Sequence, residues 1–365
     1  MLLSLVLLGS FVLAPPDTLR PKRLALIPVP LVYYTPETRL AVGAAATATL
    51  RFRRDDGFAA ARPSQATLAV AYTQNRQLLL YLPFQVFYDH NTYYAYGEAG
   101  YYRYTYYFYG LGRQEVPREL YSVNFPRVRV NAFRRVGRLL GERGQLYAGL
   151  RYQYEDYQVT RVAPGGLLAG GTVPGGQGSR LTGGGLGLFF DSRDNVFYPR
   201  KGVVADVGAF LRNRAAGAGP AGETTHFSRY VADVAEYHAL GRRAVLALNY
   251  AGSLIVGTAP FNALSQLGGS RRLRGYYEAR YRDQNSALVQ SELRLEVYKR
   301  LGAVVFGGVG ALGDQQTLLR LRDPKAAYGA GLRFIANRRD HLNVRLDYGL
   351  GRQSTGFYLT VGEAF

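Results

Sequence analysis

Side chains able to do covalent or metal chemistry are sparse in this sequence. There is no Cys, and the four His (His90, His226, His238 and His341) stand in unrelated contexts. A disulfide framework, a thiolate metal site and a Cys nucleophile are excluded, and a His-rich metal centre has too few ligands. No Gly-x-Ser-x-Gly elbow occurs, so the sequence offers no nucleophile, base and orienting group to read as a hydrolase. Gly308-Val309-Gly310-Ala311-Leu312-Gly313 matches the spacing of a dinucleotide-binding fingerprint. No helical pattern follows it, so it reads as a Gly-thinned strand. We therefore assign no catalytic residue, no metal and no cofactor.

Three segments carry a more specific arrangement. In the first, Asp191, Arg193 and Asp194 set opposite charges close together, and Pro199 and Gly202 then force a turn that cannot lie inside a ladder. The second is Gly268-Gly269-Ser270-Arg271-Arg272-Leu273-Arg274-Gly275-Tyr276, within the longest connection of the chain. Its paired Gly and its Arg-Gly-Tyr suit a loop that folds back, so that a guanidinium meets a wall carboxylate and a ring packs. An exposed basic loop drawn to anionic lipid is the alternative. The third is the C-terminal stretch, where Phe357, Leu359, Val361 and Phe365 fall on one face of an extended strand and end in an aromatic residue, as a recognition signal or a lipid-facing last strand.

The elements that must position these segments are strands. From Leu26 onward, stretches of 8–16 residues alternate with period two between Gly, Asn, Asp and Pro punctuation, and no 3.6-residue period is sustained. The spacing predicts sixteen strands, at 26–35, 39–54, 64–75, 77–89, 92–104, 121–136, 144–159, 181–192, 202–213, 225–239, 243–256, 286–298, 301–312, 325–337, 340–350 and 355–365. Odd-to-even links include the long ones, such as 257–285, whereas most even-to-odd links are tight. Even strand number, strand length and this asymmetry predict an all-β fold, a 16-stranded antiparallel transmembrane β-barrel of the outer membrane. Closure is required because an unpaired backbone group in lipid costs several kcal/mol. The Tyr-rich runs at 93–96 and 101–109 are expected at headgroup level, doing the girdle work often shared with Trp, of which there is none.

Charge and composition agree. With 47% hydrophobic and 19% charged residues the chain is foldable. Its net charge of +19 is spread as Arg through alternating Tyr-rich segments and is not gathered in a tail or module, which argues against nucleic acid. Residues 1–14, MLLSLVLLGSFVLA, read as a signal peptide, and 15–25 as a short periplasmic segment ahead of a barrel over 26–365.

In order and spacing, the three segments resemble the BamA/TamA family of outer-membrane assembly barrels, the bacterial surface antigens. The family's acidic-Arg-Asp turn ending in Pro and Gly is similar to Asp191, Arg193, Asp194, Pro199 and Gly202, and its Val/Leu-Arg-Gly-Phe/Tyr loop motif to Leu273-Arg274-Gly275-Tyr276. The family carboxylate that receives the loop arginine matches Glu292, within Ser291-Glu292-Leu293-Arg294. Where the family has Asp before Gly on the next strand, this chain has Gly307-Gly308-Val309-Gly310. The resemblance implies insertion or translocation of protein or lipid through a lateral seam between the first and last strands. Outer-membrane lipid, client outer-membrane proteins and a separate periplasmic module are the implied partners, the last because residues 15–25 are too short for the family's POTRA domains. A passive or structural barrel without assembly activity is the alternative. Pro28 and Pro30 remove two backbone donors from the first strand, which should leave pairing at the seam incomplete.

Overall fold

The computed structural model describes residues 24–55, 62–112, 116–139, 144–214, 226–320, 323–337 and 342–365. The leader at 1–14 and all but the last two residues of the segment 15–25 lie outside the described residues. The strands are β1 (Leu24–Thr35), β2 (Arg39–Leu50), β3 (Ser64–Thr73), β4 (Leu78–Tyr88), β5 (Tyr93–Phe108) and β6 (Glu119–Arg138). There follow β7 (Gln145–Arg161), β8 (Gly178–Asp191), β9 (Gly202–Arg214), β10 (His226–Ala239) and β11 (Ala244–Gly257). After the short β12 (Ser265–Leu267) and β13 (Tyr281–Asp283) come β14 (Asn285–Tyr298), β15 (Leu301–Gly313), β16 (Lys325–Asn337), β17 (Leu342–Gly351) and β18 (Ser354–Val361).

Sixteen of these strands, all but β12 and β13, close into one antiparallel barrel in chain order. Period-two patterning decides which way each side chain faces. On β3, Leu68, Val70 and Tyr72 are exposed to the outside while Thr67, Ala69 and Ala71 are buried. Leu150, Leu186, Leu211 and Leu332 continue the apolar exterior around the wall. That exterior suits lipid, and the closed ladder satisfies the backbone within it.

The Tyr-rich segments correct the girdle expectation. Tyr93 and Tyr101 do face out, but Tyr102, Tyr104, Tyr106 and Phe108 alternate inward. They form an interior cluster with Tyr121, Phe125, Tyr157 and Phe261. The cause is geometric: along a strand every second ring must face the lumen, and rings with a phenol oxygen fill a wide barrel while keeping a polar handle. Tyr121 and Tyr157, for example, share a hydroxyl hydrogen bond of 3.2 Å.

Closure is uneven. β1 pairs with β2 over its whole length, Pro28 standing opposite Ala46 and Pro30 opposite Ala44. Against β18 the register holds one pair of Cα partners, Tyr34 with Leu359. The offset places most of β1 beyond the end of β18, so a long stretch of strand edge has no barrel partner among the described residues.

The last strand also ends earlier than the predicted 355–365. β18 stops at Val361, and Gly362 adopts φ +79 with its N–H donating to Asn343 O at 2.7 Å. This left-handed residue turns the chain inward. Phe357 remains exposed on the outer face, whereas Phe365 packs against Tyr237 and Ala247 inside. The four residues of the C-terminal motif therefore do not share one face, because Gly362 breaks the period before Phe365.

Candidate functional site

The connection of residues 258–284, between β11 and β14, runs back into the lumen. It is built from a 3-10 turn at Phe261–Ala263 and the hairpin β12–β13, neither of which has a period long enough to read from sequence. Leu267, Leu273 and Tyr276 of this loop pack with Leu288 and Ala327 of the wall. Its tip is the Leu273-Arg274-Gly275-Tyr276 motif. Leu273 has φ +61 and its N–H donates to Gln290 Oε1 at 3.2 Å.

Gly275 takes φ +117, and a Cβ there would sit 2.8 Å from the Leu350 carbonyl carbon on β17. Only glycine permits that conformation and that approach. Gly349 mirrors it, since a Cβ at 349 would meet the Arg274 carbonyl carbon at 2.7 Å. The Tyr358 hydroxyl on β18 accepts from Gly275 N–H and donates to Tyr276 O, both at 3.1 Å. Tyr276 in turn donates to Ala326 O at 2.8 Å and accepts from Arg352 N–H at 2.8 Å. The loop tip is thus fastened to β16, β17 and β18, the last strands before the seam.

Arg274 is 2% exposed and its guanidinium bridges two carboxylates that are fully buried. It donates to Glu292 on β14, and to Asp347 on β17 at 2.6 Å. One face lies 3.6 Å from the centre of the Phe306 ring, a cation–π stack. Around this core Arg294 holds Glu292 at 2.8 Å, while Arg333 holds Asp347 at 2.5 Å and Glu363 at 2.9 Å. Arg345 lies 3.6 Å from Asp347. Four guanidiniums share three carboxylates, so each acid is held by more than one cation, as burial of charge demands.

Of the residues singled out from sequence, Leu273, Arg274, Gly275, Tyr276 and Glu292 meet in one place. Asp347, Phe306, Tyr358 and Glu363 were missed. Asp347 lies 73 residues from Arg274 in sequence, and its only local signal is the alternation Arg345-Leu346-Asp347, which places both charges on the inner face.

The turn motif forms a second unit at the opposite rim. Asp191, at the end of β8, is buried and chelated by Arg193, with Nε at 3.0 Å and Nη2 at 3.1 Å, and by Arg62 at 3.2 Å. Asp194 does not join that pair. Its Oδ1 accepts from the main-chain N–H of Asn195, Arg200 and Lys201 at 2.9–3.2 Å. Pro199 is buried in the turn, and Gly202 has φ +103 with Ser192 O in the space of a Cβ. Arg200 ties the turn to Glu296 at 2.7 Å and to the Gly241 and Arg242 carbonyls.

A closed sixteen-stranded barrel with an apolar exterior and a long loop anchored in a charged lumen defines an outer-membrane β-barrel of the Gram-negative envelope. The Omp85 superfamily domain is matched over residues 34–365, and the chain belongs to that superfamily. The resemblance to BamA/TamA barrels drawn from the motifs agrees with this assignment.

Among solved structures, the fold is similar to BamA from Haemophilus ducreyi lacking POTRA domains 1-3, at 11% identity and TM-score 0.55, over 93% of this chain and 70% of that one. It is also similar to CdiB from Acinetobacter baumannii (13% identity, TM-score 0.57, 93% of this chain, 60% of that one). A third is CdiB from Escherichia coli, with 11% identity and TM-score 0.60 over 94% of this chain and 63% of that one. The chain thus spans under two thirds of both CdiB structures. No curated protein matches it by sequence.

Proposed function

We propose that this barrel assists insertion or translocation of protein, or of lipid, at the outer membrane by opening at the seam between β1 and β18. The observation that carries the reading is the contrast in pairing: one register position at that seam against ten or more between β10 and β11, or β14 and β15. An unpaired strand edge recruits another strand through its free N–H and C=O groups, so a client segment is the natural occupant. In this reading the Arg274–Glu292–Asp347 cluster braces the wall beside the seam, and the turn at 191–202 fixes the opposite rim. A separate periplasmic module delivers the client. The loop at 258–284 and the Tyr/Phe cluster occupy the lumen, which favours this reading over a passive pore.

A seam disulfide tests it. The chain has no Cys, so Tyr34→Cys with Leu359→Cys introduces a single possible bridge at the paired position. The oxidised barrel should fail to support assembly of other outer-membrane proteins in depleted cells, and reductant should restore it. Assembly that proceeds equally with the bridge closed overturns the proposal.

A further inference from the structure

Most charges lining the lumen are paired with an opposite charge close by. Arg127 donates to Glu155 at 2.7 Å, Arg129 lies 3.5 Å from Glu98, Arg151 pairs with Asp206, and Arg272 with Asp233 at 3.1 Å. Arg212 on β9 and Arg229 on β10 break that pattern. Neither has a carboxylate within 4.0 Å among the described residues. Arg212 stands opposite Phe227 and Arg229 opposite Phe210, so the two are diagonal neighbours on the inner face. Arg212 is 5% exposed and its Nε has no hydrogen-bond partner. Arg229 reaches only neutral acceptors, Ser253 Oγ at 3.1 Å and Ala263 O at 3.3 Å.

The strongest charges acting on Arg229 are the guanidiniums of Arg212, Arg272 and Arg129, with Glu155 the leading carboxylate. Both oxygens of Glu155 are already engaged, by Arg127 and by Asn262 Nδ2 at 3.0 Å. Arg212 and Arg229 both border an open lumen cavity of about 340 Å³, lined by the loop at 258–284, the inner faces of β4–β11, the β1–β2 turn and the C-terminal residues; Glu37 and Glu278 lie on it as well. Burying an uncompensated guanidinium is costly, so two side by side facing a void call for a counter-anion.

From this arrangement we infer an anion-binding site in the lumen, with Arg212 and Arg229 as its principal ligands and a phosphoryl dianion as its occupant. A phosphomonoester carries about −1.5 to −2 charge near neutral pH, which matches two unpaired guanidiniums, and its oxygens fit their planar donor forks. The cavity leaves room for the group that bears the phosphate. That group is either a soluble metabolite or the headgroup of a phosphorylated lipid. The site does not depend on the seam proposal and would exist in a barrel that never opens.

The test is calorimetric titration of pyrophosphate into the full chain, folded in non-ionic detergent. A second arm uses phosphatidylcholine vesicles with and without phosphatidic acid. Wild type should bind about one equivalent saturably and gain heat resistance on semi-native gels. The double variant Arg212→Gln/Arg229→Gln should bind at least tenfold more weakly and remain at least as heat-resistant without ligand, because two stranded charges are gone. Arg229→Gln alone, at the less buried position, gives the same reading should the double variant not fold. Arg180→Gln, on an exposed arginine paired with Asp156, should leave binding unchanged. Loss of pyrophosphate binding only in phosphatidic-acid vesicles identifies a lipid source, and its persistence there a soluble one; both support the site. No saturable binding by folded wild type, or equal binding by the folded variants, overturns it.

Discussion

Replacing Arg274 by Ala tests the loop anchor most sharply, and the structure sets the size of the effect. Arg274 supplies one charge-assisted hydrogen bond to Glu292 and one to Asp347, each worth ~1.5–3 kcal/mol. Neither acid is stranded by the change, since Arg294 stays on Glu292 and Arg333 on Asp347. Loss of the stack on Phe306 and the vacated volume add to the cost. The two hydrogen bonds alone set the loss at about 3–6 kcal/mol, with no stranded-charge penalty to add. At ~2 °C per kcal/mol for a chain of this size, the unfolding midpoint should fall by roughly 6–12 °C. The assay is heat-modifiable mobility on semi-native gels. Arg274→Lys, which keeps the charge but not the two-pronged fork, should fall between. In a double-mutant cycle with Asp347→Ala, the coupling should exceed ~0.5 kcal/mol. An unshifted midpoint for Arg274→Ala, or simple additivity in the cycle, refutes the anchor.

Other perturbations separate the remaining parts. Gly275→Ala puts a Cβ against the Leu350 backbone at positive φ and should lower the midpoint at least as much as Arg274→Ala. Tyr358→Phe strands the Gly275 N–H and should cost ~1–3 kcal/mol, read by urea unfolding. Asp194→Ala frees three main-chain donors of the rim turn and should raise amide exchange at Arg200 and Lys201 without altering loop protection. A pH effect is expected where the loop meets the β1–β2 turn. Glu278 N–H donates to Glu37 Oε1 at 2.6 Å; burial, then the Glu37 charge, raises the Glu278 carboxyl to about 7, and burial raises Glu37 as well. Both folded values lie above the ordinary glutamate value of 4.5, so the folded state binds more protons. The stabilisation is complete below that value and is lost as pH rises through about 7. The gel midpoint should therefore decline from mildly acidic to mildly alkaline pH, and Glu278→Gln should flatten the decline.

The barrel was legible because lipid and a closed ladder impose one rule on every strand, and Leu68-Ala69-Val70-Ala71-Tyr72 displays that rule locally. Arg274, Gly275 and Glu292 were legible as a motif. Asp347 was not, because a contact across 73 residues leaves no trace in spacing, and the family's usual acidic position is occupied here by Gly307 and Gly308. The inward rings of β5 were misplaced because aromatic density alone does not tell the lumen from the headgroup layer. Alternation does, with Tyr101 outside and Tyr102 inside. Phe365 was misassigned because the period was carried through Gly362, a residue free to turn the chain.

The account rests on a barrel whose β1–β18 seam holds a single register pair, where every other pair of neighbouring barrel strands holds six or more among the described residues. Residue-resolved amide exchange of the folded chain in a bilayer measures this directly. Strand β1 before Tyr34, on its free edge, and β18 should exchange roughly a hundredfold or more faster than β10 and β11, a difference of at least about 2.7 kcal/mol in opening free energy. Equal protection in the two regions would contradict it.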